Sequence, residues 1–322
     1  MPASSPLPLR PLGRTGLMVH PLSIGCAPLG DMPETFAYSV AEDQALATYR
    51  AVLDGPINFI DTAAAYGDGE SERRLGVVLR ERGGLRAGFV LASKADRSLQ
   101  TGDFSGAQIR RSIERSLRLL GVDRLMLCYL HDPEHTTFQA AMAPAGAVAA
   151  LRRCKAEGLV EHIGVAGGPI EMGIRYVETG LFEVAISHNR YTLLNTSADR
   201  FWDVCAQYGV AAVNAAPYGS GMLAKGPSAY PRYAYQDAPA EVLQRARRLE
   251  TICASHGVPL AAAALQFSLR DTRIASTIVG ISKPERLQQT IALAQHPIPE
   301  ALWAELAQVQ PTREDPEAAR WA

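Results

Sequence analysis

The chain has 322 residues, 47% of them hydrophobic, and a formal net charge of −1 at pH 7. This balance gives no electrostatic reason to expect binding to nucleic acid or to a membrane, and neither a secretory signal at residues 1–8 nor a run of roughly 20 apolar residues is present. The five cysteines are scattered without a metal-ligand pattern, so we expect reduced thiols, no metal site and a cytoplasmic location.

The first predicted elements are a hairpin, a short strand and a helix. Two apolar runs flank a glycine-bearing turn, which predicts a small β-hairpin over residues 9–19. A strand is predicted at residues 21–25. Residues 43–54 have helical periodicity, which ends at Gly55-Pro56.

From residue 57 onward, apolar runs alternate with amphipathic helical patterns. Candidate strands end near residues 25, 61, 93, 130, 166, 187, 215 and 279. Such alternation predicts a parallel sheet, and eight units in one series favour an α/β fold of the (β/α)8 TIM-barrel type. We expect one domain over residues 1–322, with an N-terminal β-hairpin and extra C-terminal helices. An open doubly wound sheet is the alternative, but no Gly-x-Gly-x-x-Gly motif follows the first strand.

Three loops are predicted to form the mouth of the barrel, at residues 31–38, 131–137 and 222–237. The turn-rich stretch at residues 222–239 is long, and loops of that length inside a compact domain are usually functional or disordered. The aromatic residues of these loops either stack on a substrate or cover the barrel mouth. They are Phe36, Tyr38, Tyr230, Tyr233 and Tyr235.

Four polar side chains stand at or just beyond the ends of three consecutive strands. They are Asp61, Tyr66, Lys94 and His131. The carboxyl ends of parallel barrel strands meet on one rim, where active sites lie. A buried Lys94 needs a partner, and Asp61 on the neighbouring strand can provide one. A lysine beside Tyr66 lowers a phenol pKa that is ordinarily about 10, so Tyr66 is a candidate general acid/base and His131 a candidate donor to a substrate oxygen.

Each of these residues also has an ordinary structural explanation. Asp61 could cap the next helix, and Lys94 could extend to solvent. Tyr66 could pack on the rim, and His131 could be a strand-end histidine with its hydrogen bonds satisfied. Because nothing structural requires all four on one rim, their combination favours an active site.

Several short motifs surround these residues. The segments are Phe59-Ile60-Asp61-Thr62-Ala63, Tyr66-Gly67, Ser71-Glu72, Ala92-Ser93-Lys94, Leu130-His131-Asp132-Pro133, Gly158-Leu159-Val160, Ile163-Gly164-Val165 and Gly280-Ile281-Ser282-Lys283-Pro284-Glu285-Arg286-Leu287. On these motifs the chain resembles the aldo-keto reductase family over nearly its whole length. The resemblance implies a (β/α)8 barrel that binds NAD(P)(H) without a Rossmann motif. It also implies that Tyr66 is the proton donor and acceptor of the reaction, that Lys94 and Asp61 adjust the acidity of Tyr66, and that His131 orients the substrate.

The resemblance also implies a set of cofactor-binding positions on the rim. They are Gly25, Cys26, Ser187, His188, Tyr218, Gly219, Ser220, Gly221, Leu223, Gly280, Ser282, Lys283, Arg286 and Thr290. Residues 219–223 resemble the segment that folds over the cofactor pyrophosphate in that family.

The chain departs from the family pattern where the nicotinamide is held. Ala166-Gly167 stands where the family usually has Ser-Asn, and His188 stands where it has Gln. Ala215 takes the place of a tyrosine that stacks on nicotinamide, for which Tyr218 could substitute.

The predicted adenosine segment departs from the pattern as well. Gly280 replaces a basic residue of NADP-preferring members and Thr290 replaces an Asn, whereas Arg286 is retained. Loss of a cation weakens the case for a 2′-phosphate partner, although Ser282 and Lys283 could compensate. The cofactor is therefore expected to be NAD or NADP, with a slight preference for NAD.

Residues 189–194 and 216–223 resemble the sugar-oxidising branch of the family, which includes L-fucose (D-threo-aldose) and L-galactose dehydrogenases; pyridoxal 4-dehydrogenase-like proteins are similar too. The implied reaction oxidises the C1 hydroxyl of an aldose to its lactone, with Tyr66 as the base. The open alternatives are a reductase of small aldehydes or ketones, a pyridoxal dehydrogenase and a cofactor-binding regulatory subunit. We expect a small-molecule substrate and a monomer or small homo-oligomer.

Overall fold

The computed structural model describes residues 7–318. Residues 1–6, which form most of the segment where a secretory signal was not expected, lie outside the described residues, as do residues 319–322. Within the described range no single helix is long and apolar enough to cross a membrane, and one pair of helices passes that test only when its two sharply bent members are taken together.

Parallel strands pair side by side into a closed barrel. We number them β1 to β8 in chain order: Leu22–Gly25, Phe59–Asp61, Val90–Ala95, Leu125–His131, Val160–Gly167, Val184–His188, Ala211–Ala215 and Ile274–Gly280. Strand β8 closes on β1, with Gly280 beside Gly25 at the carboxyl end. The predicted (β/α)8 barrel is confirmed, and the open doubly wound sheet is wrong.

Helices surround the barrel and lie near the positions that periodicity predicted. In chain order, α1 to α10 are Glu42–Asp54, Glu70–Arg82, Gly106–Leu120, Ala147–Ala156, Ile170–Glu178, Asp199–Gln207, Ala240–Ser255, Leu260–Leu269, Glu285–Gln295 and Glu300–Leu306. Helix α3 begins after Ser105, whose side chain accepts a hydrogen bond from the Gln108 amide and so satisfies an otherwise unpaired donor. The extra helices α7 and α10 pack against each other, as the predicted C-terminal additions.

The N-terminal hairpin closes the amino end of the barrel. Its strands Arg10–Pro11 and Met18–Val19 pair antiparallel, which confirms the predicted hairpin. Leu12 and Val19 are fully buried in one apolar cluster with residues of the barrel interior such as Phe59. This arrangement leaves the carboxyl end as the open end.

The turn-rich segment after β7 has regular structure of its own. It contains a short helix at Met222–Lys225 and a small antiparallel hairpin, Arg232–Tyr233 with Gln236–Asp237. Another short helix, Phe138–Met142, follows β4 and was not predicted, because five residues are too few for helical periodicity to show.

A buried carboxyl lies between α2 and the barrel wall. Glu72 is fully buried; one of its oxygens accepts a hydrogen bond from the Ser93 hydroxyl, and the other has no hydrogen-bond partner within residues 7–318. Burial raises the pKa of Glu72 to about 7, against the hydrogen bond from Ser93 that lowers it. The Glu72 carboxyl therefore binds its proton more tightly in the folded protein than in the unfolded chain. The stability that this protonated carboxyl contributes is lost as the pH rises from about 4.5 through 7.

Replacing Glu72 with Gln is expected to stabilise the protein at pH 9 but to change its stability little at pH 4.5. The neutral amide avoids ionising a buried group, a cost of up to about 3 kcal/mol for a pKa rise of this size. Denaturant unfolding at the two pH values measures the change in the free energy of unfolding. Glu81→Gln on the exposed face of the same helix is the control. An equal effect of Glu72→Gln at both pH values contradicts the assigned pKa.

Candidate active site

Lys94 is the centre of the predicted catalytic group. It lies in β3 and is only 3% exposed. Its Nζ donates hydrogen bonds to Asp61 Oδ1, to the Thr62 carbonyl oxygen at 2.9 Å and to the Tyr66 hydroxyl at 2.9 Å. All three ammonium protons thus have acceptors inside the protein. The alternative in which Lys94 extends to solvent is wrong.

Tyr66 is placed by a tight turn between β2 and α2. The Tyr66 carbonyl accepts a hydrogen bond from the Ser71 amide at 3.2 Å, and the ring edge faces His131 with centroids 5.8 Å apart. The turn packs directly on the loop after β1, where the Gly30 carbonyl oxygen lies 1.8 Å from the position of a Cβ at Gly67. Gly67 also has a φ of 60°, a left-handed conformation that favours glycine.

Replacing Gly67 with Ala is expected to displace the Tyr66 turn. A left-handed alanine costs about 1–2 kcal/mol, and its methyl group forces the two loop backbones apart. A displacement near 1 Å can lower turnover by about 100-fold, so we expect a fall in kcat of about 10- to 100-fold. Steady-state kinetics and denaturant unfolding measure the two effects.

Gly209→Ala is the matched control for that variant. Gly209 has a similar φ of 64°, but an added Cβ meets no heavy atom of the described chain within 4 Å. It should lose similar stability from the backbone conformation and keep full activity. If both variants keep full activity, the close packing of Gly67 against Gly30 does not position Tyr66.

His131 ends β4 and faces the same space as Tyr66. It is 8% exposed, and its Nδ1 is bonded to Asp96 Oδ1 at 2.7 Å. Burial lowers the pKa of His131, but the nearby carboxylates of Asp132 and Asp96 outweigh burial and raise it above its ordinary value. The bond to Asp96 leaves Nε2 of His131 directed away from Asp96.

Asp96 is a site residue that the sequence analysis missed. The predicted strand ended at residue 93, whereas β3 continues to Ala95. It therefore includes Lys94, and Asp96 follows it directly. A polar residue directly after a barrel strand was thus a usable signal.

Asp61 and Lys94 form a buried ion pair. Burial raises the pKa of the Asp61 carboxyl, and the Lys94 ammonium opposes that rise. Burial lowers the pKa of Lys94, but attraction to Asp61 and Tyr66 prevails and holds it above its ordinary value. Lys94 Nζ donates directly to Asp61 Oδ1, and Lys94 is a cation beside Tyr66 at neutral pH.

The pKa of Tyr66 differs from the prediction in its net direction. Burial raises the pKa of the phenol, Lys94 lowers it, and Asp61 raises it again, so that the net shift is upward. The expected effect of Lys94 is right in sign, but the predicted net lowering is wrong because burial is the larger effect. Tyr66 is therefore a protonated phenol at neutral pH, suited to donate a proton.

A cavity of about 1250 Å³ opens at the carboxyl end of the barrel. The four predicted catalytic residues line it, and so do most of the predicted cofactor positions. Those positions are Gly25, His188, Tyr218, Ser220, Gly221, Gly280, Ser282, Arg286 and Thr290. Residues from β1, β2 and its loop, β6, β7 and β8 are thereby brought to one site.

Five of the predicted cofactor positions do not line this cavity. Lys283 is exposed, and Cys26, Gly219 and Leu223 are buried. Ser187 is also buried and lines a separate small cavity behind β5 and β6. Successive side chains of a strand point to opposite sides, and His188 points to the cavity. This alternation explains why the side chain of Ser187 points away from it.

The residues of the cavity fit a dinucleotide such as NAD(P). Tyr218 lines the cavity, and its hydroxyl is buried without a hydrogen-bond partner inside residues 7–318. Ser220 and Gly221 adopt φ values of 62° and 124° in the turn after Tyr218, and both residues line the cavity. The Arg286 guanidinium, on α9, offers a cation at the other end of the site.

The aromatic loop residues divide into two groups. Phe36, Tyr38, Tyr230 and Tyr235 line the cavity. Tyr233 instead is buried, with its hydroxyl donating to the Asn189 carbonyl oxygen at 2.9 Å, so it holds two loops together rather than facing the cavity.

The chain that carries this site is similar in sequence to known proteins. The family model described as "Aldo/keto reductase family" matches residues 21–311. The chain belongs to this family. It is therefore an oxidoreductase that acts on carbonyl or CH–OH groups of small molecules, and aldo-keto reductases use NAD(P)(H). The match favours an enzyme over a regulatory subunit.

Among aldo-keto reductases the chain is similar to three dehydrogenases. It is 35% identical to a D-threo-aldose 1-dehydrogenase of Pseudomonas sp, over 92% of this chain and 95% of that one. It is 31% identical to a pyridoxal 4-dehydrogenase of Microbacterium luteolum (92% and 96%). It is also 31% identical to an L-galactose dehydrogenase of Arabidopsis thaliana (88% and 87%). The predicted resemblance to this branch is confirmed.

A solved structure supports the fold independently. An aldo-keto reductase from Bacillus halodurans in its holo form superposes with a TM-score of 0.77 at 22% identity, covering 98% of this chain and 99% of that chain. At that identity the likeness shows the barrel fold alone.

Proposed function

We propose that this aldo-keto reductase oxidises the C1 hydroxyl of an aldose of the L-fucose (D-threo-aldose) or L-galactose type to its lactone. The observation that carries the proposal is the hydrogen-bonded set Asp61, Lys94 and Tyr66 beside His131, at the wall of one cavity. NAD(P), when bound, supplies the hydride acceptor.

In this proposal each residue has a defined task during oxidation. Tyr66 accepts the proton of the substrate hydroxyl, and the Lys94 ammonium, 2.9 Å from the phenol oxygen, stabilises the phenolate that serves as base. Asp61 keeps Lys94 in place and charged. The protonated ring of His131 donates a hydrogen bond from Nε2 to the reacting oxygen and orients it toward Tyr66.

Polar groups on the cavity wall support a polyhydroxylated substrate. Asp132 and His188 both line the cavity, close to His131. Burial raises the pKa of Asp132, but His131 and His188 together lower it below its ordinary value, so Asp132 is an ionised acceptor for hydroxyl groups. Three dehydrogenases that are at least 31% identical to this chain include two that carry sugar names.

The cofactor proposal is NAD or NADP, with a slight preference for NAD. Gly280 lines the cavity where NADP-preferring members carry a basic residue, while Arg286 lines the same part of the site. A single guanidinium is a weak basis for selecting a 2′-phosphate. We further propose that residues 1–322 act as one cytoplasmic domain, as a monomer or small homo-oligomer.

A panel of aldoses with both cofactors tests the function. Purified protein is mixed with each aldose and with NAD or NADP, and formation of reduced nicotinamide is followed by absorbance. We expect turnover of at least one 6-deoxy or aldohexose sugar, with kcat/KM for NAD equal to or above that for NADP. Absence of turnover of any aldose, together with rapid reduction of simple aldehydes, overturns the proposal.

Reduction of a small aldehyde or ketone is the second candidate, and pyridoxal oxidation is a third. Reduction is favoured by one specific observation: burial raises the pKa of Tyr66, and a protonated phenol is ready to donate to a carbonyl oxygen. Pyridoxal is supported by the Microbacterium luteolum relative. Adding pyridoxal and simple aldehydes to the same panel separates the three.

A further inference from the structure

One buried carboxylate joins the two sides of the catalytic group. Asp96 directly follows β3 and is 2% exposed. Its Oδ1 is 2.7 Å from His131 Nδ1, and its Oδ2 accepts a hydrogen bond at 2.9 Å from the amide of Ala65, the residue before Tyr66. The same side chain therefore contacts the histidine and the turn that carries the tyrosine.

The backbone of Asp96 is held independently of its side chain. Its amide donates to the buried Ser112 hydroxyl at 3.0 Å, and its carbonyl oxygen accepts from Gln108 Nε2 at 3.2 Å. Both partners belong to α3, which packs on the barrel wall. The backbone that carries the Asp96 carboxylate is therefore fixed to α3 by two hydrogen bonds.

A carboxylate at this position controls which nitrogen of His131 carries a proton. Because a carboxylate only accepts hydrogen bonds, Nδ1 must be protonated, and Nε2 is the nitrogen free to meet the substrate. Nε2 lies 3.6 Å from Asp132 Oδ1, near the cavity. The neutral ring then presents an acceptor at Nε2, and the protonated ring presents a donor.

We propose that Asp96 is the positioning residue of this site, whose carboxylate sets both the ring protonation of His131 and the place of the Tyr66 turn relative to it. The proposal rests on the proposed function in assigning His131 and Tyr66 to the reaction. A carboxylate is suited to the task because its two oxygens accept from two different donors at once.

Several titratable groups face His131 and bear on its protonation. They are Lys94 in β3 and Asp96 directly after it, Asp61 and Tyr66 from β2 and its loop, Asp132 and Glu134 after β4, and His188 from β6. Of these, Asp96 is the one in direct hydrogen-bond contact with Nδ1. Burial opposes a charge on the ring, and the carboxylates of Asp132 and Asp96 favour it.

Asp96→Asn is the decisive variant. An amide offers one acceptor oxygen and one donor group, so it satisfies either His131 Nδ1–H or the Ala65 amide but not both. We expect kcat to fall about 10- to 100-fold, by analogy with misplacing a reacting group, with little change in cofactor KM. The pH profile of kcat should shift to lower pH, because His131 loses a neighbouring negative charge. Asp103→Asn, a half-buried carboxyl in the same β3–α3 loop, is the matched control.

Combining variants identifies the route by which Asp96 acts. In a His131→Ala background, Asp96→Asn should lower kcat by much less than in the wild-type background, since the part of its effect that passes through His131 is already lost. An equal fall in both backgrounds shows that Asp96 does not act through His131 and overturns the proposal.

NMR of the unaltered protein gives a readout that needs neither turnover nor a folded variant. Side-chain ¹⁵N signals of His131 in the wild type should show the Nδ1–H form when the ring is neutral, with a pKa above the ordinary histidine value. The Nε2–H form overturns the assignment of Asp96. If no aldose, aldehyde or pyridoxal is turned over, the proposed function fails, while this spectrum still decides the role of Asp96.

Discussion

Replacing Tyr66 with Phe is expected to lower kcat at least about 1000-fold while leaving cofactor affinity within about twofold, in line with losses of 10²–10⁴ when a general acid/base is removed. The substitution deletes only the phenol oxygen, which lies 2.9 Å from Lys94 Nζ. The ring, which packs edge-on to His131, stays in place. Proton transfer is therefore lost without a change in the shape of the site.

Initial rates with the best substrate of the panel measure the effect, and titration with the oxidised and reduced cofactors measures binding. Tyr230→Phe is the matched control, because Tyr230 also presents its ring to the cavity but lies outside the hydrogen-bonded set of Lys94. Wild-type oxidation should become faster from neutral to alkaline pH, since burial raises the pKa of Tyr66. Undiminished turnover in Tyr66→Phe contradicts the mechanism.

Replacing Lys94 with Met is expected to lower both stability and activity. The substitution leaves the Asp61 carboxylate, which is 2% exposed, without its cationic partner, and one oxygen of Asp61 already lacks a hydrogen-bond partner within residues 7–318. Breaking one side of a buried pair typically costs about 3–5 kcal/mol in the free energy of unfolding. Loss of the ammonium also removes the group that stabilises a Tyr66 phenolate.

The double variant Lys94→Met with Asp61→Asn separates the two effects. It removes the unpaired buried charge, so most of the lost stability should return, whereas kcat should remain low because no cation faces Tyr66. Arg82→Met is the control, since it breaks the Arg82–Asp54 pair on the surface, where about 0–1 kcal/mol is expected. Recovery of activity in the double variant shows that the role of Lys94 is structural.

The sequence alone was sufficient for the barrel and for the candidate group on its rim. Helices α2, α7 and α8 lie where periodicity predicted them. In a long amphipathic or apolar pattern, the spacing of the apolar residues identifies a helix and the face that it buries. Asp61, Lys94 and His131 were recognisable because polar residues directly after apolar strands lie at the carboxyl rim of a parallel barrel.

Tertiary structure decided everything that depends on side-chain direction and burial. Whether a rim residue faces the cavity is set by the strand pleat and the exact strand end, so Ser187 and Cys26 turned away from it and Asp96 was overlooked. The net shift of the Tyr66 pKa is a balance between burial and the charge of Lys94, and burial exists only once the loops have packed. The stretch from β2 to α2 thus determined by itself where the chemistry could be, while the packing of Gly30 on Gly67 and the bonds of Asp96 determined how Tyr66 and His131 stand relative to each other.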